Sequence, residues 1–204
     1  AFNLNARNDT TCYADCIFKE KAKKNYTAHK MPPVDKKFLW NMFRRIDTDK
    51  NGSISGDELQ QALANGTGTM FNPETVRLMM SMFDTDGNGV IDFDEFAGLW
   101  QYVCDWQDTF RNFDLDNSGT IDRNELKLAL KSFGFNLSER FYGILIMKFD
   151  RSARGDIRFD DFIQCCVVLQ TLTNAFKQHD HNLDGWIRVS YEQFLTMVFN
   201  CKKK

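Results

Sequence analysis

A twelve-residue acidic loop recurs five times in this chain of 204 residues, and no other feature of the sequence constrains the fold as strongly. Every copy begins with Asp, has Gly at its sixth position and has Ile at its eighth. The copies are DTDKNGSISGDE (47–58), DTDGNGVIDFDE (84–95), DLDNSGTIDRNE (114–125), DRSARGDIRFDD (150–161) and DHNLDGWIRVSY (180–191). Chance does not produce so specific a fivefold repeat, so the chain is predicted to fold as five copies of one unit.

The repeat follows the pattern D-x-[DN]-x-[DN]-G-x5-E of a calcium-binding EF-hand, with Ser in place of the fifth-position ligand in the third copy. Calcium is a hard cation that takes about six to eight oxygen ligands. Positions 1, 3 and 5 supply side-chain oxygens, position 7 a backbone carbonyl and position 12 a bidentate glutamate. Glycine at position 6 allows the chain to reverse sharply. The extended segment around the eighth-position Ile can pair with its counterpart in a second hand, so the loops also predict paired EF-hands.

Loops one to three carry complete ligand sets and are predicted to bind Ca²⁺. The three or four carboxylates in each loop suit affinities in the sensor range, about 10⁻⁷–10⁻⁵ M. The predicted ligands are Asp47, Asp49, Asn51, Ser53 and Glu58 in the first loop; Asp84, Asp86, Asn88, Val90 and Glu95 in the second; and Asp114, Asp116, Ser118, Thr120 and Glu125 in the third.

The fourth loop, residues 150–161, is interpreted as a degenerate hand that holds no calcium. Arg154 places a cation where the fifth-position ligand belongs. Asp161 stands at the closing position, where its side chain is one methylene shorter than that of the glutamate in a complete loop. These two changes remove a ligand and shorten the reach of another, so the fourth loop is predicted to be empty.

The fifth loop keeps several ligands but lacks the closing glutamate. Its remaining ligands are Asp180, Asn182, Asp184 and the carbonyl of Trp186, while Tyr191 stands at position 12. We expect weak or no calcium binding there at cytosolic concentrations, with Mg²⁺ as the alternative ion. Because the first four loops pair by adjacency, the fifth has no partner in its own chain. It is predicted to pair with a second copy in a twofold dimer, the alternative being a decayed hand that caps its own domain.

The spacing of the loops predicts the architecture. Segments 96–113 and 162–179 contain no proline, so each is predicted to be one helix that leaves one hand and enters the next. Segments 59–83 and 126–149 contain helix-breaking runs, with new helices predicted near Pro73 and Ser138. The predicted fold is all-α, with five EF-hands over residues 34–204, about eight helices and short β-bridges between paired loops. Residues 1–33 are predicted to be a flexible tail.

Composition excludes several classes of function. The formal net charge of −2 does not favour nucleic acid as a partner. The six cysteines do not form a zinc-ligand pattern, and the absence of an apolar run of about 18 residues argues against a membrane span. There is no P-loop, no GxSxG motif and no histidine near a cysteine nucleophile, so the chain is not expected to be an enzyme. A cytoplasmic protein with reduced thiols is the simplest interpretation.

From about Phe38 to Phe199 the chain resembles the penta-EF-hand family. The resemblance rests on FLWNMFRRIDTDKNG, DELQQALANGT, DNSGTIDRNELKLAL and DGWIRVSYEQFLTMVF, and within the family it is closest to the apoptosis-linked adaptor type. It implies a calcium-dependent adaptor whose principal sites are closed by Glu58 and Glu125. The complete second loop and a tail that is not rich in Gly and Pro depart from the family pattern.

The resemblance also implies partners and location. It implies a homodimer, or a heterodimer with another penta-EF-hand protein, formed through the fifth hand. It further implies binding to Pro-rich segments of ESCRT-associated and COPII-coat proteins, and recruitment to ER exit sites, vesicles or endosomes, with the nucleus as a further location. The alternatives are a cytosolic calcium buffer and a regulatory subunit like the small subunit of calpain.

An aromatic groove is a candidate surface for such a Pro-rich segment. Each of its residues taken singly is more typical of a core, but as a set they suggest a partly exposed groove that opens when calcium binds. The candidate residues are Phe96, Trp100 and Val103, spaced as one helical face, together with Trp106, Phe133 and Tyr191.

Overall fold

The computed structural model describes residues 35–63, 69–182 and 184–200, and this part of the chain contains eight helices. The predicted tail, residues 1–33, lies outside the described residues. The all-α fold class and the helix number are confirmed for the described part. The helices are Lys36–Ile46 (α1), Gly56–Ala62 (α2), Pro73–Phe83 (α3), Phe93–Phe113 (α4), Arg123–Ser132 (α5), Glu139–Phe149 (α6), Phe159–Lys177 (α7) and Tyr191–Asn200 (α8).

The last residues of each complete loop also start the helix that leaves it. Position 9 is the N-cap of the helix and position 12 is its third residue, so the two side chains can bond each other's backbone N–H in a capping box. The boxes are Ser55 with Glu58 at α2, Asp92 with Glu95 at α4, and Asp122 with Glu125 at α5. The closing glutamate therefore belongs both to the loop and to the first turn of the exiting helix.

The two long helices are shared between hands, as the spacing predicts. α4 has 21 residues and joins the second loop to the third, and α7 has 19 residues and joins the fourth to the fifth. Both begin three residues earlier than the predicted segments, because the last three residues of the preceding loop form the first helical turn. Pro73 is the first residue of α3 and Ser138 caps α6, which confirms both predicted helix starts.

Two short antiparallel bridges join the first four loops in pairs. Ile54 and Ile91 exchange backbone hydrogen bonds of 2.8 and 2.9 Å, and Ile121 and Ile157 do the same at 2.8 and 2.9 Å. All four isoleucine side chains are buried. The predicted β-bridges are therefore confirmed, and the eighth-position isoleucine serves both the pairing and the core.

The core is rich in phenylalanine and includes most of the residues that the sequence suggested as a groove. Phe96, Val103, Trp106 and Phe133 are between 0 and 6% exposed. Trp106 packs edge-on against Phe162, with 5.8 Å between the ring centroids. The expectation that Val103, Trp106 and Phe133 line a partly exposed groove is therefore corrected, because α4 turns Val103 and Trp106 towards the interior and Phe133, at the end of α5, packs against Trp106. Phe96 is buried too, as part of the wall of an apolar cleft. Of the six candidates, only Trp100, half-buried, and Tyr191, exposed, reach the surface.

None of the helices within the described residues is both long and apolar enough to cross a membrane.

Replacing Phe133 by Ala should lower the free energy of unfolding by about 3–5 kcal/mol, because it leaves a cavity between α4 and α5. The matched change at Phe141, which is 38% exposed on α6, should cost less than about 1 kcal/mol. Urea denaturation measures both. Equal stabilities of the Phe133 variant and the parent would contradict the burial of Phe133 and favour its place in an exposed groove.

Candidate metal centres

Three groups of carboxylates gather in the described part of the chain, one in each of the first three loops. In each group the carboxylate oxygens lie within 4.8 Å of one another, close enough to ligate one ion. The groups are Asp47, Asp49 and Glu58; Asp84, Asp86 and Glu95; and Asp114, Asp116 and Glu125. They are the predicted ligands of positions 1, 3 and 12, so the fold brings together the ends of each predicted ligand set.

The carboxylate of the first aspartate in each complete loop accepts hydrogen bonds from backbone N–H groups of the turn. In loop one the carboxylate of Asp47 accepts hydrogen bonds from the backbone N–H groups of Asn51, at 3.1 Å, and Gly52, at 3.0 Å. Gly52 has a φ of 88°, a left-handed conformation that favours glycine. Asp84 and Asp114 make the equivalent bonds to Gly89 and Gly119. The sixth-position glycine is thus required by the turn that aims these carboxylates inward.

The residues at positions 5 and 7 close the outer side of each loop. The side-chain oxygen at position 5 accepts a hydrogen bond from the backbone N–H at position 7, which fixes the peptide whose carbonyl is the predicted ligand. These bonds join Asn51 to Ser53 at 2.8 Å, Asn88 to Val90 at 2.9 Å and Ser118 to Thr120 at 3.3 Å. Ser118 therefore performs the structural part of the role that asparagine has in the other two loops.

Glu58 is held as a carboxylate by donors from both ends of loop one. One of its oxygens accepts from the N–H and hydroxyl of Thr48, each at 2.9 Å. The other accepts from the N–H of Ser55 at 3.0 Å and from its hydroxyl at 2.8 Å. The backbone hydrogen bond from Ser55 is the largest of the effects that lower the pKa of Glu58 to about 2, against the opposing effect of burial. Glu58 is therefore negatively charged over the whole physiological range.

Loop two has the same geometry as the loops on either side of it. Glu95 accepts from the N–H of Thr85 at 2.7 Å and from that of Asp92 at 3.1 Å. In loop three Glu125 accepts from the N–H of Leu115 at 2.8 Å and from that of Asp122 at 2.9 Å. The second loop differs mainly in that Asp84 and Glu95 are half-buried, whereas Asp114 and Glu125 are buried. Its three acids are thus gathered in the same way as those of the other two loops.

Loop four keeps the turn but not the acid cluster. Asp150 still accepts the N–H of Gly155 at 2.7 Å, yet the closing carboxylate of Asp161 is engaged elsewhere. The Nε of Arg151 donates to Asp161 at 2.8 Å, and the same guanidinium bonds Asp160. Arg154, which was predicted to place a cation at the fifth ligand position, is exposed. The role of Arg151 was therefore not predicted. Its only indication in the sequence is that Arg151 lies in the same loop as the adjacent acids Asp160 and Asp161.

Burial and pairing act in opposite directions on the acids and the cation of this cluster. Burial raises the pKa of Asp161, against the lowering effect of the hydrogen bonds from Arg151 and Asn72. Partial burial lowers the pKa of Arg151, but the hydrogen bond to Asp161 and the charges of both acids raise it overall. Arg151 therefore stays protonated and supplies the positive charge of this loop.

Loop five lacks a closing ligand, and its exiting helix starts later than the helices that leave the complete loops. Asp180 is buried and accepts the N–H of Gly185 at 3.1 Å, as in a working loop. Ser190 and Gln193 then form the reciprocal cap of α8, so Tyr191 at position 12 is the first residue of the helix and not the third. Tyr191 is 78% exposed and lies outside the place that a closing glutamate would take. Asn182 and Asp184 bond each other at 2.8 Å, and Trp186 donates its N–H to Asp184.

Comparison with known proteins agrees with this geometry. The family model described as an EF-hand domain pair matches residues 36–101 and again residues 104–166. Sorcin of Schistosoma japonicum is 53% identical over 166 residues, which are 81% of this chain and 96% of that protein. Human peflin is 41% identical over 168 residues, which are 82% of this chain and 59% of peflin.

The chain belongs to the penta-EF-hand family. A solved structure of a homolog of programmed cell death 6 protein from Leishmania major Friedlin has a TM-score of 0.71 and 32% identity, and covers 80% of this chain and 93% of that one. The penta-EF-hand resemblance is thus confirmed, and the protein is a calcium-binding protein of the sorcin, peflin and programmed cell death 6 type. The chain spans 59% of the length of human peflin, so similarity to peflin concerns only that part.

Glu95→Gln should reduce the calcium bound by this penta-EF-hand chain from three ions to two, because a neutral amide cannot close the second site as a bidentate anion. Calorimetric titration of the full chain counts the ions. Glu74→Gln, on the exposed side of α3, is the matched control and should leave three. A parent that already binds two ions, or a Glu95 variant that still binds three, would contradict a working second site.

Proposed function

We propose that this penta-EF-hand protein is a calcium sensor that acts as a cytoplasmic adaptor and binds Pro-rich segments of partner proteins. The observation that carries the proposal is an apolar cleft of about 270 Å³ whose walls are helices of the first two hands. Its lining includes Met42 and Ile46 of α1, Ala62 of α2, and Leu99 and Trp100 of α4. This cleft shares Phe96 and Trp100 with the groove expected from the sequence, and its other lining residues are different.

The position of the cleft supports control by calcium. α2 begins with the capping box that contains Glu58, and α4 begins with the one that contains Glu95. An ion that draws either glutamate inward moves a wall of the cleft, which is how EF-hand sensors commonly expose apolar surface. A calcium buffer, by contrast, would bind ions without opening the cleft.

The chemistry of the cleft suits an extended Pro-rich segment. Trp100 is half-buried and meets the exposed ring of Phe38 edge-on at 6.4 Å between centroids, so an aromatic surface borders the opening. Aromatic grooves accept polyproline II helices, which lose little conformational entropy on binding. Partners of the ESCRT-associated and COPII-coat kinds would then bring the protein to endosomes, vesicles or ER exit sites, as the family resemblance implies.

The fifth hand supports dimerisation. Its loop has no bridging partner among the described residues, and α8 exposes apolar side chains along its length. A twofold contact between two such surfaces would bury them, in a homodimer or in a heterodimer with another penta-EF-hand protein. The exposed side chains are Trp186 in the loop and Tyr191, Phe194 and Phe199 on α8.

Trp100→Ala should abolish calcium-dependent binding of a Pro/Tyr-rich peptide, because it removes the aromatic wall of the cleft. Fluorescence anisotropy with a labelled peptide measures binding in calcium and in EGTA, and we expect binding in calcium alone. Trp40→Ala, an exposed tryptophan on α1 outside the cleft, should bind as the parent does. No binding by the parent in either condition, with normal calcium uptake, would favour a buffer or an obligate subunit.

Phe199→Asp should shift the protein from dimer to monomer, because it places a charge in the proposed twofold contact. Sedimentation equilibrium measures the mass. Met147→Asp, at a more exposed apolar position on α6, should remain dimeric. A parent that is monomeric at all concentrations would contradict dimerisation and leave the fifth hand as a cap.

A further inference from the structure

Two adjacent carboxylates are buried at the start of α7. Asp160 is 0% exposed and Asp161 is 1% exposed, and we call them the acid pair. Burying two like charges side by side is unfavourable unless a cation and hydrogen-bond donors compensate them. Arg151 of the same loop supplies the cation, with its Nε 2.8 Å from Asp161 and its guanidinium bonded to Asp160. The fourth hand therefore carries its own positive charge.

Asn72, 88 residues earlier in the chain, holds the other side of the acid pair. Its backbone N–H donates to Asp160 at 2.7 Å, and its side-chain amide donates to Asp161 at 2.7 Å and to Gln164 at 3.1 Å. The other oxygen of Asp160, Oδ1, is buried without a hydrogen-bond partner in the described part of the chain. The carboxylate of Asp160 thus depends on Asn72 and Arg151 for its donors.

Asn72 also begins the helix that enters the second hand. Its side-chain oxygen accepts the N–H of Glu74 at 2.9 Å, and so caps α3. Thr75, in the first turn of α3, donates to the carbonyl of Asp160 at 3.0 Å, and α3 packs along α7. α3 ends at Phe83, and the next residue, Asp84, is the first ligand of loop two. One helix of 11 residues therefore connects the acid pair to a calcium site.

We propose that Arg151 compensates the charge of the acid pair in the fourth hand without an ion, and that Asn72 transmits this fixed geometry to loop two as a positioning residue. The coupling concerns the binding of calcium and does not depend on the adaptor role. The hydrogen bonds of Asn72 and Arg151 to the acid pair are present in the same structure in which carboxylate oxygens of loop two lie within 4.8 Å of one another. These hydrogen bonds therefore favour the arrangement of loop two that accepts an ion. Breaking them should weaken calcium binding at loop two.

Asn72→Ser tests the positioning role, because serine still caps α3 but has no amide to donate to Asp161 and Gln164. The affinity of loop two is isolated in the full chain carrying Glu58→Gln and Glu125→Gln, and that of loop three in the full chain carrying Glu58→Gln and Glu95→Gln. Calorimetry with calcium should show a loss of about 2- to 30-fold at loop two and no change at loop three. Equal losses at both loops, unchanged affinity at loop two, or no calcium binding by loop two in the parent background would overturn the proposal.

Arg151→Met and Arg151→Lys test the internal cation. We expect the methionine variant to lose affinity at loop two by a similar factor and the lysine variant to recover part of it, because lysine restores the charge without the fork of donors. Arg154→Met, an exposed arginine in the same loop, is the matched control and should behave as the parent does. Equal affinities of the Met and Lys variants would show that the charge of residue 151 has no role. Thermal melting in EDTA identifies a variant that fails to fold, in which case the Asn72 result decides.

Discussion

The repulsion between carboxylates that each loop brings together is the constraint on which the rest of the structure depends. In loops one to three the fold holds three acidic groups within 4.8 Å, a distance at which like charges oppose folding unless a cation lies among them. In the fourth hand Arg151 offsets the charge of Asp160 and Asp161 from within the chain. The first three hands are thus suited to an ion from solution, whereas the fourth contains its own cation.

Helix positions follow from how these charges are held. The closing glutamate of each complete loop is the third residue of the exiting helix, so a change at the metal site is also a change in that helix. The isoleucine bridges join loop one to loop two and loop three to loop four, and α4 continues directly from the second hand into the third. The first four hands are therefore joined to one another by bridges and by a shared helix. The fifth hand, with α8 beginning at the loop's last position, does not have the closing ligand that links loop to helix in this way.

Local features of this protein could be predicted from its sequence, because they depend on short patterns. The gathering of acids in loops one to three, the bridges, the shared helices and the helix starts at Pro73 and Ser138 all follow from spacing and capping residues. The groove could be predicted only in part: Phe96 and Trp100 line the cleft, but the periodicity that places Val103 on the same face of α4 does not show that Val103 is turned inward. Asn72 contacts Asp160 and Asp161 across separations of 88 and 89 residues along the chain, and nothing local in the sequence indicates these contacts.

The most direct test of this account is the location of bound ions in crystals of the full chain grown with calcium, from anomalous diffraction. The account predicts peaks between the gathered carboxylates of loops one, two and three, and none in loop four, where Arg151 contacts Asp161. A peak in loop four with Arg151 displaced, or no peak in loop two, would contradict it.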